Sequence, residues 1–213
     1  MRATIERYWR ELQLTMDAMP HAALAQVADA LLDCRARGGT IFIVGNGGSA
    51  ATASHFACDL AKGTQSPGAI PFRVVPLTDN MPLLTAWAND VSYEQVYAQQ
   101  LATLIRPGDV LVAISASGSS PNILAAARAA TRHGANVIAW TGATGGKLLR
   151  LANLIVRVPA HSIEQVEDAH LMISHSLCVA LRERIRLLAT DRAETSVILP
   201  VALDREEDAS LAL

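Results

Sequence analysis

Between residues 40 and 159, short continuous apolar runs alternate with alanine-rich stretches. The runs are TIFIV (40–44), FRVVPL (72–77), DVLVAI (109–114), NVIAW (136–140) and LIVRV (154–158). They are rich in β-branched residues and mostly lack polar alternation, as expected of strands buried on both faces of a parallel sheet. Residues 50–62, a segment around 81–105, 121–133 and 147–151 read as helical between them. Alternation of β with α through short glycine-containing turns predicts a doubly wound α/β fold. Right-handed crossovers then put helices on both faces of a five-stranded sheet.

Two helices precede the sheet. Ile5, Tyr8, Trp9, Leu12 and Met16 recur at helical spacing until Pro20. Ala23, Leu24, Val27, Ala30, Leu31 and Cys34 share a second helical face, which Gly38-Gly39 ends. This 1–38 extension packs either on its own domain or on a partner subunit. After the sheet, 163–188 reads as one long helix, with Ser162 and Gln165 at capping-box spacing. The α/β domain therefore spans 39–189. The tail, 190–213, loses helical periodicity and reads as an extended SVILPVAL segment followed by a frayed acidic end.

Composition narrows the class. Hydrophobic residues make up 51% of the 213 and charged residues 18%, enough for one large core. Aromatics are only 4%, so that core is aliphatic. A net charge of −2 leaves no basic excess for a phosphate backbone, which argues against nucleic acid. Cys34, Cys58 and Cys178 form no CxxC pair and read as reduced thiols, which suits a cytoplasmic location. The charged start lacks a secretory pattern, and no apolar run approaches the ~18 residues that span a bilayer.

Two loops carry candidate chemistry. Gly45-Asn46-Gly47-Gly48-Ser49 follows the first strand, and Ser115-Ala116-Ser117-Gly118-Ser119-Ser120 follows the third. Ligands of parallel sheets bind at the C-terminal strand ends. Glycines allow close approach, helix N-termini offer free N–H groups, and serines add donors, a combination suited to phosphate. Neither loop matches GxGxxG or GxxxxGK[ST], so a sugar phosphate fits better than a nucleotide. The plain alternative is a pair of βα turns with N-cap serines.

His55 and Asp59 stand four apart on the helix after the first loop, and therefore on one face. Glu164, Glu167, His170 and His175 provide similar pairings on the long helix, Glu167 and His175 being eight apart. Each of these histidines, taken singly, also fits a core or surface position. His133 reads as a helix C-terminal cap, and His21 and His161 as surface residues. The deciding question is whether the two helices converge.

GNGGSAATASHFACDL, AND (88–90), ISASGSSPN (114–122), TG..GGK (141–147) and the H-x4-H helix together resemble the sugar isomerase (SIS) domain family. The likeness covers about 1–188 and is strongest to the phosphoheptose isomerases within that family. It implies a three-layer αβα sandwich and a homo-oligomer, tetramer or dimer, with active sites at subunit interfaces. It implies a sugar site at Asn46, Gly47, Gly48, Ser49, Asn89 and Asp90, and a phosphate cradle at Ser115, Ala116, Ser117 and Ser120. It also implies a divalent metal, Zn²⁺ by its donors, on His55, Asp59, Glu167 and His175. Asp59 and His175 are implied as base and acid. The chain departs from the family pattern in having Asp59 for a glutamate, Glu167 for a glutamine, and Lys62-Gly63-Thr64 where an arginine is expected.

The implied reaction interconverts sedoheptulose 7-phosphate and D-glycero-D-manno-heptose 7-phosphate through an enediol. It needs a base near carbon, an acid near oxygen and stabilisation of developing charge. Asp59 or Glu167 could take the proton, with His175 serving the oxygens. The rival reading is a non-catalytic SIS module that binds a sugar phosphate or a protein, similar to one associating with a bacterial replication initiator. Such a module has no need of His55, Asp59, Glu167 and His175 together.

Overall fold

A computed structural model of the chain describes residues 1–198, with side chains through 190. The five strands fall where the apolar runs predict: β1 Thr40–Val44, β2 Arg73–Pro76, β3 Val110–Ile114, β4 Asn136–Thr141 and β5 Leu154–Arg157. All pairings are parallel, in the order β2-β1-β3-β4-β5. The chain winds outward in both directions from β1 and β3, so a crevice opens beyond their C-terminal ends.

Alternate residues of each strand enter two separate cores. Ile41, Ile43, Val112, Ile138 and Trp140 face α2 (His21–Ala36), α3 (Gly48–Cys58) and α7 (Ile163–Ile198). Phe42, Val44, Leu111, Ala113, Val137 and Ala139 face α5 (Val96–Leu104) and α6 (Pro121–Arg132). The result is the expected αβα sandwich. Because α2 buries Val27, Leu31 and Cys34 in the first core, it belongs to the sandwich. Only α1 (Arg2–Asp17) is an outer addition. It rests on α7, where the Tyr8 hydroxyl donates to Asp168 and the Gln165 amide donates to Glu11.

Several expectations need correction. The helix over 50–62 starts at Gly48 and widens into a π-turn at Asp59–Gly63. The segment around 81–105 divides into α4 (Met81–Asp90), a 3₁₀ turn Tyr93–Gln95 and α5. Ser162 and Gln165 form no capping box. The Ser162 hydroxyl instead donates to Glu164, which lowers the Glu164 pKa, while Gln165 is taken by Glu11. α7 continues to Ile198, through the start of the segment read as extended, because no glycine or proline interrupts it before Pro200. The remainder of the tail lies outside the described residues.

Candidate active site

The first loop folds as it does because of three glycines, Gly45, Gly47 and Gly48. Gly47 caps α3 at φ 53° and ψ −123°, a conformation open only to glycine. A Cβ on Gly45 would lie 2.3 Å from the Ser49 carbonyl oxygen, so the first turn of α3 packs directly against the end of β1. A Cβ on Gly48 would lie 2.5 Å from Glu167 Oε2. The Glu167 carboxylate therefore sits on the positive end of α3. Gly47 and Gly48 are exposed, Asn46 is half-buried, and Ser49 is buried within the helix.

The serine loop is shaped by backbone packing. Gly118 has φ 60°, and a Cβ there would lie 2.1 Å from the Gly145 carbonyl oxygen. Ser119 accepts from the Lys147 N–H at 3.2 Å, and Gly142 N–H donates to the Ala116 carbonyl at 2.9 Å. The 141–147 turn is thus the platform of the serine loop. Ser120 occupies the N-cap position of α6, yet its side chain makes no cap bond. The Ser115 and Ser120 hydroxyls lie 3.4 Å apart, with Ser115 buried and Ser117 exposed. The Ser120 hydroxyl is therefore not spent on a helix cap and lies beside the N-terminus of α6. Asn89 and Asp90, joined by a 2.8 Å amide–carboxylate bond, are exposed at the end of α4.

Helices α3 and α7 converge, with Phe56 and Ile173 in one core. His55 Nε2 and His175 Nε2 lie 2.8 Å apart. Asp59 Oδ2 lies 3.3 Å from the first and 3.8 Å from the second. The trio holds ligand atoms within 4.8 Å of one another. Ions with bonds of about 2 Å in tetrahedral array need ligand atoms about 3.3 Å apart, so the set fits Zn²⁺ with small adjustment. Two imidazoles and one carboxylate leave a fourth position open, as catalytic zinc sites do. The structure does not bring Glu167 into this group. Eight residues of helix separate it from His175 by about 12 Å along the axis, and its carboxylate is directed at Gly48.

The remaining titratable candidates are structural. His170 is fully buried near Trp140, and burial pushes its pKa down to about 4. Burial, with the charge of Asp59 adding to it, pushes the Cys178 thiol up to about 12, so it stays protonated beside the trio. His133 caps α6 as expected, its Nδ1 2.8 Å from the Ala129 carbonyl oxygen. His21 and His161 are exposed. Among the described residues all three cysteines are free and no helix is long and apolar enough to cross a membrane.

The model of the SIS domain matches residues 6–142. A phosphoheptose isomerase of Rhodospirillum rubrum is 40% identical over 156 residues, covering 73% of this chain and 82% of that one. The chain belongs to the SIS domain family. The phosphoheptose isomerase GmhA of Neisseria gonorrhoeae superposes with a TM-score of 0.78 at 31% identity, covering 85% of this chain and 98% of that one. The lincomycin biosynthesis protein LmbN of Streptomyces lincolnensis is 42% identical over 179 residues, covering 79% of this chain and 64% of that protein. The SIS match ends at Gly142, before α7, so His175 comes from outside the matched span.

Sequence reasoning missed Tyr93 and Asn122. The Tyr93 hydroxyl donates to Asn46 Oδ1 at 3.0 Å, and Asn122 pairs with Asn46 through two 2.8 Å bonds. PN after the serines was the available signal for Asn122. Nothing in the sequence distinguished Tyr93.

Proposed function

We propose that the chain is an aldose–ketose isomerase converting sedoheptulose 7-phosphate to D-glycero-D-manno-heptose 7-phosphate. The observation that carries this reading is the His55–Asp59–His175 trio, built by two helices that flank the crevice of a phosphoheptose isomerase-like fold. The named relatives support the substrate. A purely binding module would have no use for the trio.

Ser115, Ser117 and Ser120, with the N-terminus of α6, bind the phosphate. Asn46, Gly47, Gly48, Ser49, Asn89, Asp90 and the Ala116 backbone surround the sugar, and Glu167 orients its hydroxyls from the start of α3. Asp59 Oδ2 faces both imidazoles, which leaves Oδ1 to take the C1 proton and return it to C2. His175 serves the oxygens, moving a proton from the C1 hydroxyl to the C2 oxygen. His55, Asp59 and His175 would hold a Zn²⁺ ion, whose chemistry there is Lewis-acid polarisation of the carbonyl. Asp59→Asn and His175→Gln should each bind sedoheptulose 7-phosphate within about tenfold of the parent but lose conversion. Conversion at the parent rate in either variant contradicts these roles.

The active form is a homo-oligomer. Met172, His175 and Val179 share one exposed face of α7, and α1 exposes Ile5, Trp9 and Leu14. A second copy covering the α7 face would border the site. Free cysteines suit a cytoplasmic location.

A further inference from the structure

Asp59 stands where α3 gives up its regular hydrogen bonding and the chain opens into the π-turn Asp59–Gly63. Such a widened turn leaves carbonyls without helical partners. Three of them are answered by side chains. Thr64 Oγ1 donates to the Leu60 carbonyl at 2.7 Å, Gln65 Nε2 to the Ala61 carbonyl at 3.0 Å, and Arg182 Nε to the Gly63 carbonyl at 2.5 Å. The first two donors follow the turn in sequence and move with it. Arg182 comes from α7, seven residues after His175 and on the same helical face. Its bond therefore ties the turn that carries Asp59 to the helix that carries His175. Among the described residues it is the one hydrogen bond by which α7 holds the backbone of that turn. Gly63 leaves the room: a Cβ there would lie 3.5 Å from Arg182 Nη2 and 4.0 Å from Asp59 Cβ. The guanidinium and Asp59 thus flank the same glycine.

We propose that Arg182 is a positioning residue for the His55–Asp59–His175 trio: its Nε–H clamps the π-turn to α7 and so fixes where the Asp59 carboxylate stands. The consequence for turnover rests on the isomerase reading above; the consequence for metal binding does not. An aspartate has only two side-chain torsions, so its carboxylate follows its backbone closely. Asp59 Oδ2 lies 3.3 Å from His55 Nε2 and 3.8 Å from His175 Nε2. The first separation is set within one helix, by residues four apart on α3. The second runs between helices and depends on how the turn is held against α7. Metal sites tolerate errors of only about 0.2 Å in their bonds, so a turn that drifts from α7 loses a ligand. Leu60 anchors one side of the turn in the first core, and Arg182 holds the Gly63 end. The clamp uses the Nε–H bond, and the guanidinium charge is not what it requires.

The test separates the bond from the charge. Glutamine Nε2 stands as many bonds from the backbone as arginine Nε, so Arg182→Gln keeps a donor at that point and drops the charge. Arg182→Met keeps the length and drops both. The readouts are Zn²⁺ affinity by equilibrium dialysis, and kcat and KM for sedoheptulose 7-phosphate. The clamp predicts that Arg182→Met lowers Zn²⁺ affinity and kcat by about tenfold or more, with KM within about twofold. Arg182→Gln should stay within about threefold of the parent in all three. Parental Zn²⁺ affinity in Arg182→Met overturns the proposal. Arg182→Gln as impaired as Arg182→Met overturns it too, and a raised KM in both would assign the guanidinium to the substrate instead. The clamp is also read by ¹⁵N NMR of the metal-free parent, which decides the matter even if Arg182→Met fails to fold. The Arg182 Nε–H should exchange with water at least about tenfold more slowly than that of Arg184, which is exposed on the same helix. Equal exchange overturns the clamp. A parent that leaves sedoheptulose 7-phosphate unconverted, while the Zn²⁺ affinities follow the predicted order, supports the clamp and overturns the isomerase reading.

Discussion

His55 and His175 stand 120 positions apart in the chain, yet their Nε2 atoms meet at 2.8 Å across the contact of α3 with α7. With Asp59 Oδ2 beside both, the trio could hold a divalent cation after a small outward movement of the two rings. His55→Ala and His175→Ala should each abolish tight Zn²⁺ uptake in equilibrium dialysis. Asp59→Asn should retain part of it, because both nitrogens remain. Full uptake in either histidine variant would place the ion elsewhere.

Ser117 is exposed in its loop and Ser120 leaves its hydroxyl uncommitted to a helix cap. Each is expected to donate to the phosphate, so Ser117→Ala and Ser120→Ala should weaken sugar-phosphate binding by about 1–3 kcal/mol each. Thermal melts should be unchanged. Calorimetry showing parental affinity in both variants would move the phosphate away from this loop.

Gly118 allows no side chain, given its positive φ and the Gly145 carbonyl against it. Gly118→Ala should cost at least about 2 kcal/mol of stability in urea unfolding. It should also abolish phosphate binding, because the serine loop can no longer rest on the 141–147 turn. A stable variant with intact binding would refute the platform role of that turn.

His170 gives the protein an acid sensitivity separate from its chemistry. Its ring is fully buried, and burial outweighs the opposing pull of the Thr141 backbone, so its pKa falls from 6.5 to about 4 on folding. Between these values the unfolded chain binds the extra proton, so stability declines as pH drops through the window and is fully retained above it. The loss should total roughly 3 kcal/mol. His170→Leu, which removes the titrating ring, should remove that part of the slope in urea midpoints taken from pH 7 to pH 4. An identical slope in parent and variant would show that His170 does not carry it.

The strands were legible because a sheet covered on both faces demands continuous apolar runs, and TIFIV and DVLVAI supply them. The two loops were legible because glycines and serines between a strand and a helix have few other uses. Convergence of His55 with His175 was not legible, since spacing along two helices says nothing of the angle at which they pack. Glu167 was grouped with them by resemblance, whereas its carboxylate is drawn to Gly48 at the N-terminus of α3. α7 runs past its predicted end at 188 because loss of apolar periodicity is not loss of helix. Ala193 and Glu194 are strong helix formers, and the backbone stays helical through them. The hydrogen bond of Tyr93 to Asn46 was not legible because the partners stand 47 positions apart.

The most direct test of the whole account is ¹³C NMR of sedoheptulose 7-phosphate incubated with the Zn²⁺-supplemented protein. The ketose C2 resonance should decline as the anomeric carbon of the aldoheptose 7-phosphate appears, and Asp59→Asn should leave the spectrum unchanged. A parent protein that binds the ketose phosphate and leaves its spectrum unaltered, or an Asp59→Asn variant that converts it at the parent rate, would contradict the account.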